Sequence, residues 1–371
     1  MARRACGTRI RISGLIFPSL FLLAAVLLGG CTGVLEVSPQ AAFTWSPGIC
    51  YPHQTITLDA SSSTGGEEGI ATYAWTFGDG STGTGRTVGH AFAKAGNQTV
   101  TLTITTADGK QDVVTHTIHV TDAVVVPGDH PTIQAAIDAA ADGDTIVVLP
   151  GTYTENLRFQ GNRITVQSAD PGDPTVVAAT VLRGKDPGKS TVDFGGGSTA
   201  TLAGFTIRIG SLPPNWSFCS ACTGLVHIRE ASPTIRDNRI LDSPDAGIVI
   251  YESAAHIVDN LISGNQSGAP GGGIAVDSYG VAPTIEGNTI QDNRAPSGAG
   301  IFITASPVTL AAASAAATIV RGNSFRNNVA TLYGGAAIFV EYAGNLFLDL
   351  PDTNTYSGNT PDDIFYVVPP S

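Results

Sequence analysis

The chain has little charge and few of the residues from which long surface helices are built. Asp, Glu, Lys and Arg make up only 13% of its 371 residues, with four lysines and one methionine, which excludes long charged helices in favour of turns and close-packed strands. Basic residues are the scarcest class. Nineteen Lys and Arg stand against 31 Asp and Glu, for a formal charge of −12, and loss of Arg3, Arg4, Arg9 and Arg11 with a leader would take it to −16. No basic stripe reverses this locally, so nucleic acid is excluded as a partner. The longest apolar run, Leu15 to Leu28, is broken by Pro18 and falls short of the ~20 residues a membrane-spanning helix requires. Glycine, by contrast, is abundant at 44 residues, and the profile is all-β.

Residues 1–30 join a basic start to that short apolar run, the pattern of a secretory signal peptide. The tetrapeptide Leu28-Gly29-Gly30-Cys31 resembles a bacterial lipobox. That resemblance implies cleavage before Cys31, a diacylglycerol on its sulfur, and an exported chain held by lipid to the cell envelope, at the outer membrane or cell surface of a bacterium. Thr32 is not the aspartate that such proteins use for inner-membrane retention. With Cys6 in the leader and Cys31 lipidated, Cys50, Cys219 and Cys222 remain. Cys219 and Cys222 form a C-x-x-C pair without metal-ligand spacing or a thioredoxin-like pattern, which outside the cytosol reads as a local disulfide and leaves Cys50 unpaired.

After a tether over 31–40, residues 41–121 alternate strongly. Tyr73, Trp75 and Phe77 share one face of a strand, and Val100, Leu102 and Ile104 share one face of another, with the tight turn Gly78-Asp79-Gly80 between. Two half-buried antiparallel sheets of this size predict a small β-sandwich with Trp75 in its core. The segment resembles a PKD domain in Asp59-Ala60-Ser61-Ser62-Ser63, Tyr73-x-Trp75-x-Phe77-Gly78-Asp79-Gly80, His90-x-Phe92, Gly96 and Val100-x-Leu102-x-Ile104. Such domains are extracellular spacers or weak binding modules, so the resemblance implies reach rather than chemistry.

Within a second region, 125–371, the chain repeats itself between Gly224 and Val340. Gly-Leu-Val-His (224–227), Gly-Ile-Val-Ile (247–250), Gly-Ile-Ala-Val (273–276), Gly-Ile-Phe-Ile (300–303) and Ala-Ile-Phe-Val (337–340) are copies of one strand. Asn238, Asn260, Asn288 and Asn323 recur once per copy, and Ser243, Asn265, Asn293 and Asn328 follow five residues later. Repetition at this spacing predicts a solenoid whose units bury their apolar faces only by stacking. Roughly eight coils at about 4.8 Å each would make a stack ~35–40 Å long. Asparagine at a corner is expected to take the left-handed conformation and to bond to the copies above and below. Ile133, Ala136, Ile137 and Ala140 predict a short amphipathic helix capping the first coil. The stretch Pro131-Thr-Ile-Gln-Ala-Ala-Ile-Asp138, Gly143-Asp-Thr-Ile-Val-Val148 and Pro150-Gly-Thr-Tyr153 resembles the start of pectin-lyase-like, single-stranded right-handed parallel β-helices.

The repeated strand supplies the candidate site. Ile248, Ile250, Ile274, Val276, Ile301, Ile303, Ile338 and Val340 should point inward, and His227 with them. Val226, Val249, Ala275, Phe302 and Phe339 should point outward, followed two residues on by Ile228, Tyr251, Asp277, Thr304 and Glu341. Such an apolar outer face marks an interface. On one reading it binds glycan, with Tyr251, Phe302 and Phe339 stacking on sugar rings while Asp277 and Glu341 accept hydroxyl hydrogen bonds. On the other it is covered by the sandwich, by the 306–317 insertion or by the tail from Asn345. The corner acids Asp237, Asp259 and Glu286 are where a lyase of the resembled class would hold calcium. Glu252, Asp277 and Glu341 are the nearest outward acids for a hydrolase, but they do not form one column of paired carboxylates.

The expectation is a lipid-anchored surface protein that binds extracellular or cell-wall polysaccharide without catalysis and without a required cofactor. A carbohydrate-active enzyme, a calcium-dependent polysaccharide lyase first among them, is the alternative. A structural protein that binds another surface protein is a third.

Overall fold

A computed structural model describes residues 37–186, 188–210, 224–277, 281–304, 318–341, 348–349 and 353–367. The leader, Cys31, Cys219, Cys222 and the 306–317 insertion lie outside the described residues, as do residues 345–347, 350–352 and 368–371 of the tail.

Strands Thr44–Ser46, Thr55–Asp59 and Thr87–Ala91 form one antiparallel sheet. Thr82–Thr84, Ile70–Phe77, Gly96–Thr106 and Gln111–Val120 form the other. Alternation along these strands sends Ile56, Leu58, Trp75, Val100, Leu102 and Ile104 into a shared core and turns Thr99, Thr101, Thr103 and Thr105 to the other face. Trp75 is 1% exposed, and its indole N–H donates to Gly85 O at 2.8 Å, so the polar end of this large side chain is satisfied.

Beyond Thr121 the chain coils. From Thr145 each turn contributes one strand to each of three parallel sheets, and Val124–Val126 adds one more to the first. Sheet 1 has nine strands, from Val124–Val126 to Leu348–Asp349; sheet 2 has eight, from Gly151–Thr154 to Thr355–Ser357; sheet 3 has eight, from Leu157–Gln160 to Ile364–Val367. Inward residues repeat in columns, such as Val226, Ile248, Ile274, Ile301 and Ile338, each 0% exposed. These columns merge into one continuous core along the axis.

The expected helix spans Ile133–Ala139 and buries Ile133, Ala136 and Ile137 over the first coil. Thr132 caps it through Ala135 N, and the Glu155 carboxylate accepts from Ile133 N and Gln134 N, both at 3.0 Å. A second helix, Pro174–Ala179, is capped by Asp173 and was not expected from the sequence.

The two regions meet at Tyr51, which is 7% exposed and packs with Val125, Val147 and Ala169 of the first coils. Cys50 O accepts from Thr121 N at 2.7 Å beside it. Cys50 is a free thiol, 1% exposed, and burial raises its pKa.

The asparagine columns are hydrogen-bonded ladders. The Oδ1 atoms of Asn260, Asn288, Asn323 and Asn354 accept from the backbone N–H of Asn238, Asn260, Asn288 and Asn323 at 2.9–3.0 Å. Asn265, Asn293, Asn328 and Asn359 do the same for Ser243, Asn265, Asn293 and Asn328 at 3.0–3.1 Å. The expected left-handed backbone, however, belongs to the residue before each asparagine. Asp237 (φ 58°), Asp259 (φ 53°), Gly287 (φ 67°) and Gly322 (φ 65°) make the bend, which leaves the asparagine free to point its amide into the stack.

Candidate functional site on the outer face of sheet 3

Sheet 3 presents two outward columns. In the first, register aligns Arg158, Asp193, His227, Val249, Ala275, Phe302, Phe339 and Phe365. In the second it aligns Arg229, Tyr251, Asp277, Thr304 and Glu341.

The register corrects the expected place of His227. Leu225 N bonds to Ala246 O and Val226 N to Gly247 O, so Gly224 aligns with Ala246 and not with Gly247. This one-residue shift turns Val226 and Ile228 inward, both 0% exposed, and turns His227 outward. There its Nδ1 lies 2.8 Å from Asp193 Oδ1, which orients the ring and leaves Nε2 as the group facing away from the carboxylate.

Phe302 and Phe339 do face outward, yet they are only 8% and 5% exposed. Their rings stack at 5.7 Å, and Phe339 stacks on Phe365 at 5.3 Å. The turns that lead into these strands press on the same column: a methyl group at Gly298 would sit 2.8 Å from Phe302 Cβ, and one at Gly335 would sit 2.9 Å from Phe339 Cβ. Both glycines have positive φ, 56° and 62°, so only glycine brings the backbone this close without strain. The rings are therefore a second, outer core laid down by the coils' own turns and not open platforms for a sugar.

The second column is more open. Arg229 and Glu341 are exposed, while Tyr251, Asp277 and Thr304 are half-buried. Arg229 Cζ lies 5.5 Å from the centre of the Tyr251 ring, and its Nε donates to Glu230 at 3.2 Å. Asp277 Oδ1 is buried without a hydrogen-bond partner. Burial first, and the Glu252 carboxylate second, raise the Asp277 pKa above the ordinary carboxylate range.

The corner acids lie elsewhere. Asp237 pairs with Arg236 at 2.7 Å and Glu286 with Arg321 at 2.9 Å, on sheet 1 and its corner. Asp259 occupies a left-handed corner position. Among the described residues, no three His, Cys, Asp or Glu side chains converge to hold a metal ion.

Residues 36–121 match the PKD domain family, and residues 215–360 match the right-handed β-helix region family. The chain joins a PKD-like β-sandwich to a right-handed parallel β-helix. No curated protein matches the chain in sequence. Among solved structures, the PKD region is similar to a structure from a study of carbohydrate-binding modules of the β-sandwich superfamily, at 34% identity and TM-score 0.23; the match covers 24% of this chain and 36% of that one. It is also similar to the PKD1 domain of the Vibrio cholerae metalloprotease PrtV, at 29% identity, 23% and 100% coverage, and TM-score 0.21. The β-helix is similar to pectin methylesterase PemA from Erwinia chrysanthemi, at 13% identity, 67% and 93% coverage, and TM-score 0.34. These likenesses concern the fold; the chemistry rests on the side chains above.

Proposed function

We propose that the protein binds polysaccharide along the second outward column of sheet 3, without catalysing its breakdown. The supporting observation is the column itself. An aromatic ring (Tyr251), a buried acceptor with no donor (Asp277), a hydroxyl (Thr304) and an exposed carboxylate (Glu341) follow one another on successive coils. At about 4.8 Å per coil, the line from Arg229 to Glu341 spans ~19 Å, a shape suited to an extended chain lying parallel to the solenoid axis. Rings and hydrogen-bonding groups set side by side are what carbohydrate asks for, since a sugar is apolar on its faces and polar at its edge. In this reading the lipid on Cys31 anchors the chain to the envelope, the PKD domain sets the β-helix away from it, and no cofactor is required.

The test is retardation of the full-length chain in gels containing single polysaccharides, compared with Tyr251→Ala. Retardation by at least one glycan, lost in the variant while the melting temperature stays within a few degrees, is the expected result. No retardation by any glycan would refute the reading. Calcium-dependent release of unsaturated uronates, abolished by chelator, would replace it with a lyase and direct attention to Asp237, Asp259 and Glu286.

A further inference from the structure

Asp277 lies in surroundings that suit a carboxylate poorly. Its Oδ1 is buried and meets no donor, and the charge that perturbs it most is the like charge of Glu252. A buried acceptor with no donor costs about 1–3 kcal/mol, and more when it is charged, so native structures leave few of them. The cation of this column is committed to other groups. Arg229, two coils away in the same column, lies over the Tyr251 ring and donates to Glu230. No third ligand stands ready for a metal ion among the described residues, so a divalent cation is a poor match for this point. An anionic sugar is a worse one, because a uronate carboxylate would be a third negative group beside Asp277 and Glu252.

A primary ammonium answers each mismatch. It carries three donors to offer the half-buried Asp277 carboxylate, and its charge offsets both carboxylates at once. The Tyr251 ring on the preceding coil and Thr304 on the following one would flank the sugar that bears it. We infer that the Tyr251–Asp277–Thr304 stretch recognises a glycan carrying free amino groups in preference to a neutral or uronate-containing one. This inference rests on the glycan-binding reading and narrows it to one ligand class.

The experiment titrates the full-length chain, in buffer of physiological ionic strength, with glucosamine, N-acetylglucosamine and galacturonate oligosaccharides of equal length. It also uses oligolysine, and the variants Asp277→Asn and Glu67→Gln. Glu67 is an exposed acid on the sandwich, so the second variant removes the same charge at a distance. The expected result is at least tenfold tighter binding of the glucosamine oligomer than of the other two sugars, lost in Asp277→Asn and retained in Glu67→Gln. Asp277→Asn should melt at the same temperature as the parent or higher, because it removes an uncompensated carboxylate. Equal loss in both variants would reduce the effect to net charge and overturn the inference, as would oligolysine binding as tightly as the amino sugar. Preference for the acetylated or acidic sugar would overturn it and leave the glycan-binding reading standing. Binding of no sugar would overturn both.

Discussion

Asn260→Ala removes a rung from the middle of the corner ladder, and the cost can be worked out atom by atom. Asn260 Oδ1 accepts from Asn238 N at 3.0 Å and from Asn238 Nδ2 at 3.2 Å. Its Nδ2 donates to Ile235 O at 2.8 Å, Val258 O at 2.9 Å and Asn288 Oδ1 at 3.0 Å. Alanine leaves the Asn238 N–H buried with no acceptor, at about 1–3 kcal/mol, and takes one donor from each of two carbonyls and one amide, for roughly another 1–2 kcal/mol. The expected loss is about 3–5 kcal/mol. Asn354, at the last described rung and half-buried, accepts from Asn323 N at 2.9 Å and donates to Val320 O at 2.8 Å, where water can replace it. Asn354→Ala should cost about 1 kcal/mol. Because a solenoid can open in pieces, the assay is native-state hydrogen exchange read separately over residues 234–241 and 256–263, alongside urea denaturation. Equal costs at the two positions, or a loss below about 1 kcal/mol at Asn260, would refute the view that the ladder holds the corner.

Phe339→Ala should cost about 3–5 kcal/mol by denaturation, since it empties a ring that is 5% exposed and stacked on both sides. A cost under about 1 kcal/mol would return that ring to the list of open sugar platforms. The Cys50 thiol, buried and with its pKa raised, should react with a disulfide reagent at pH 8 at least a hundredfold more slowly in the folded protein than in urea. Comparable rates would contradict the burial of Cys50 in the sandwich core.

The solenoid was legible because its corners use the same residue each time. Asn238, Asn260, Asn288 and Asn323 recur at one point of each copy, and a column of like side chains has few causes other than stacking. Which residue bends the backbone was not legible, since Asp237 and Gly287 differ chemically and share only a positive φ. The face of His227 was misread because Gly224-Leu225-Val226 looks like Gly247-Ile248-Val249, and only the hydrogen bonds show that the copies are offset by one. At a side-chain period of two, that offset exchanges inside for outside. The cover over Phe302 and Phe339 depends on where the Gly298 and Gly335 turns travel in space, which alternation along a strand does not encode. Tyr251 and Asp277 were identifiable as outward residues from alternation alone. That Asp277 lacks a donor follows from its burial, which depends on neighbours distant in sequence. The helix at Pro174–Ala179 did carry a signal in Asp173-Pro174, an N-cap followed by proline in the first turn.

The account's central claim is that ligand lies on the outer face of sheet 3. The most direct measurement is hydrogen exchange of the full-length chain with and without a saturating glycan that retards it. Slowed exchange should concentrate in Ile248–Tyr251, Ile274–Asp277 and Ile301–Thr304, the three strands that carry Tyr251, Asp277 and Thr304. Protection confined to the PKD domain, or to the sheet 1 strands beside Asp237 and Glu286, would contradict the claim and move the binding site off this face.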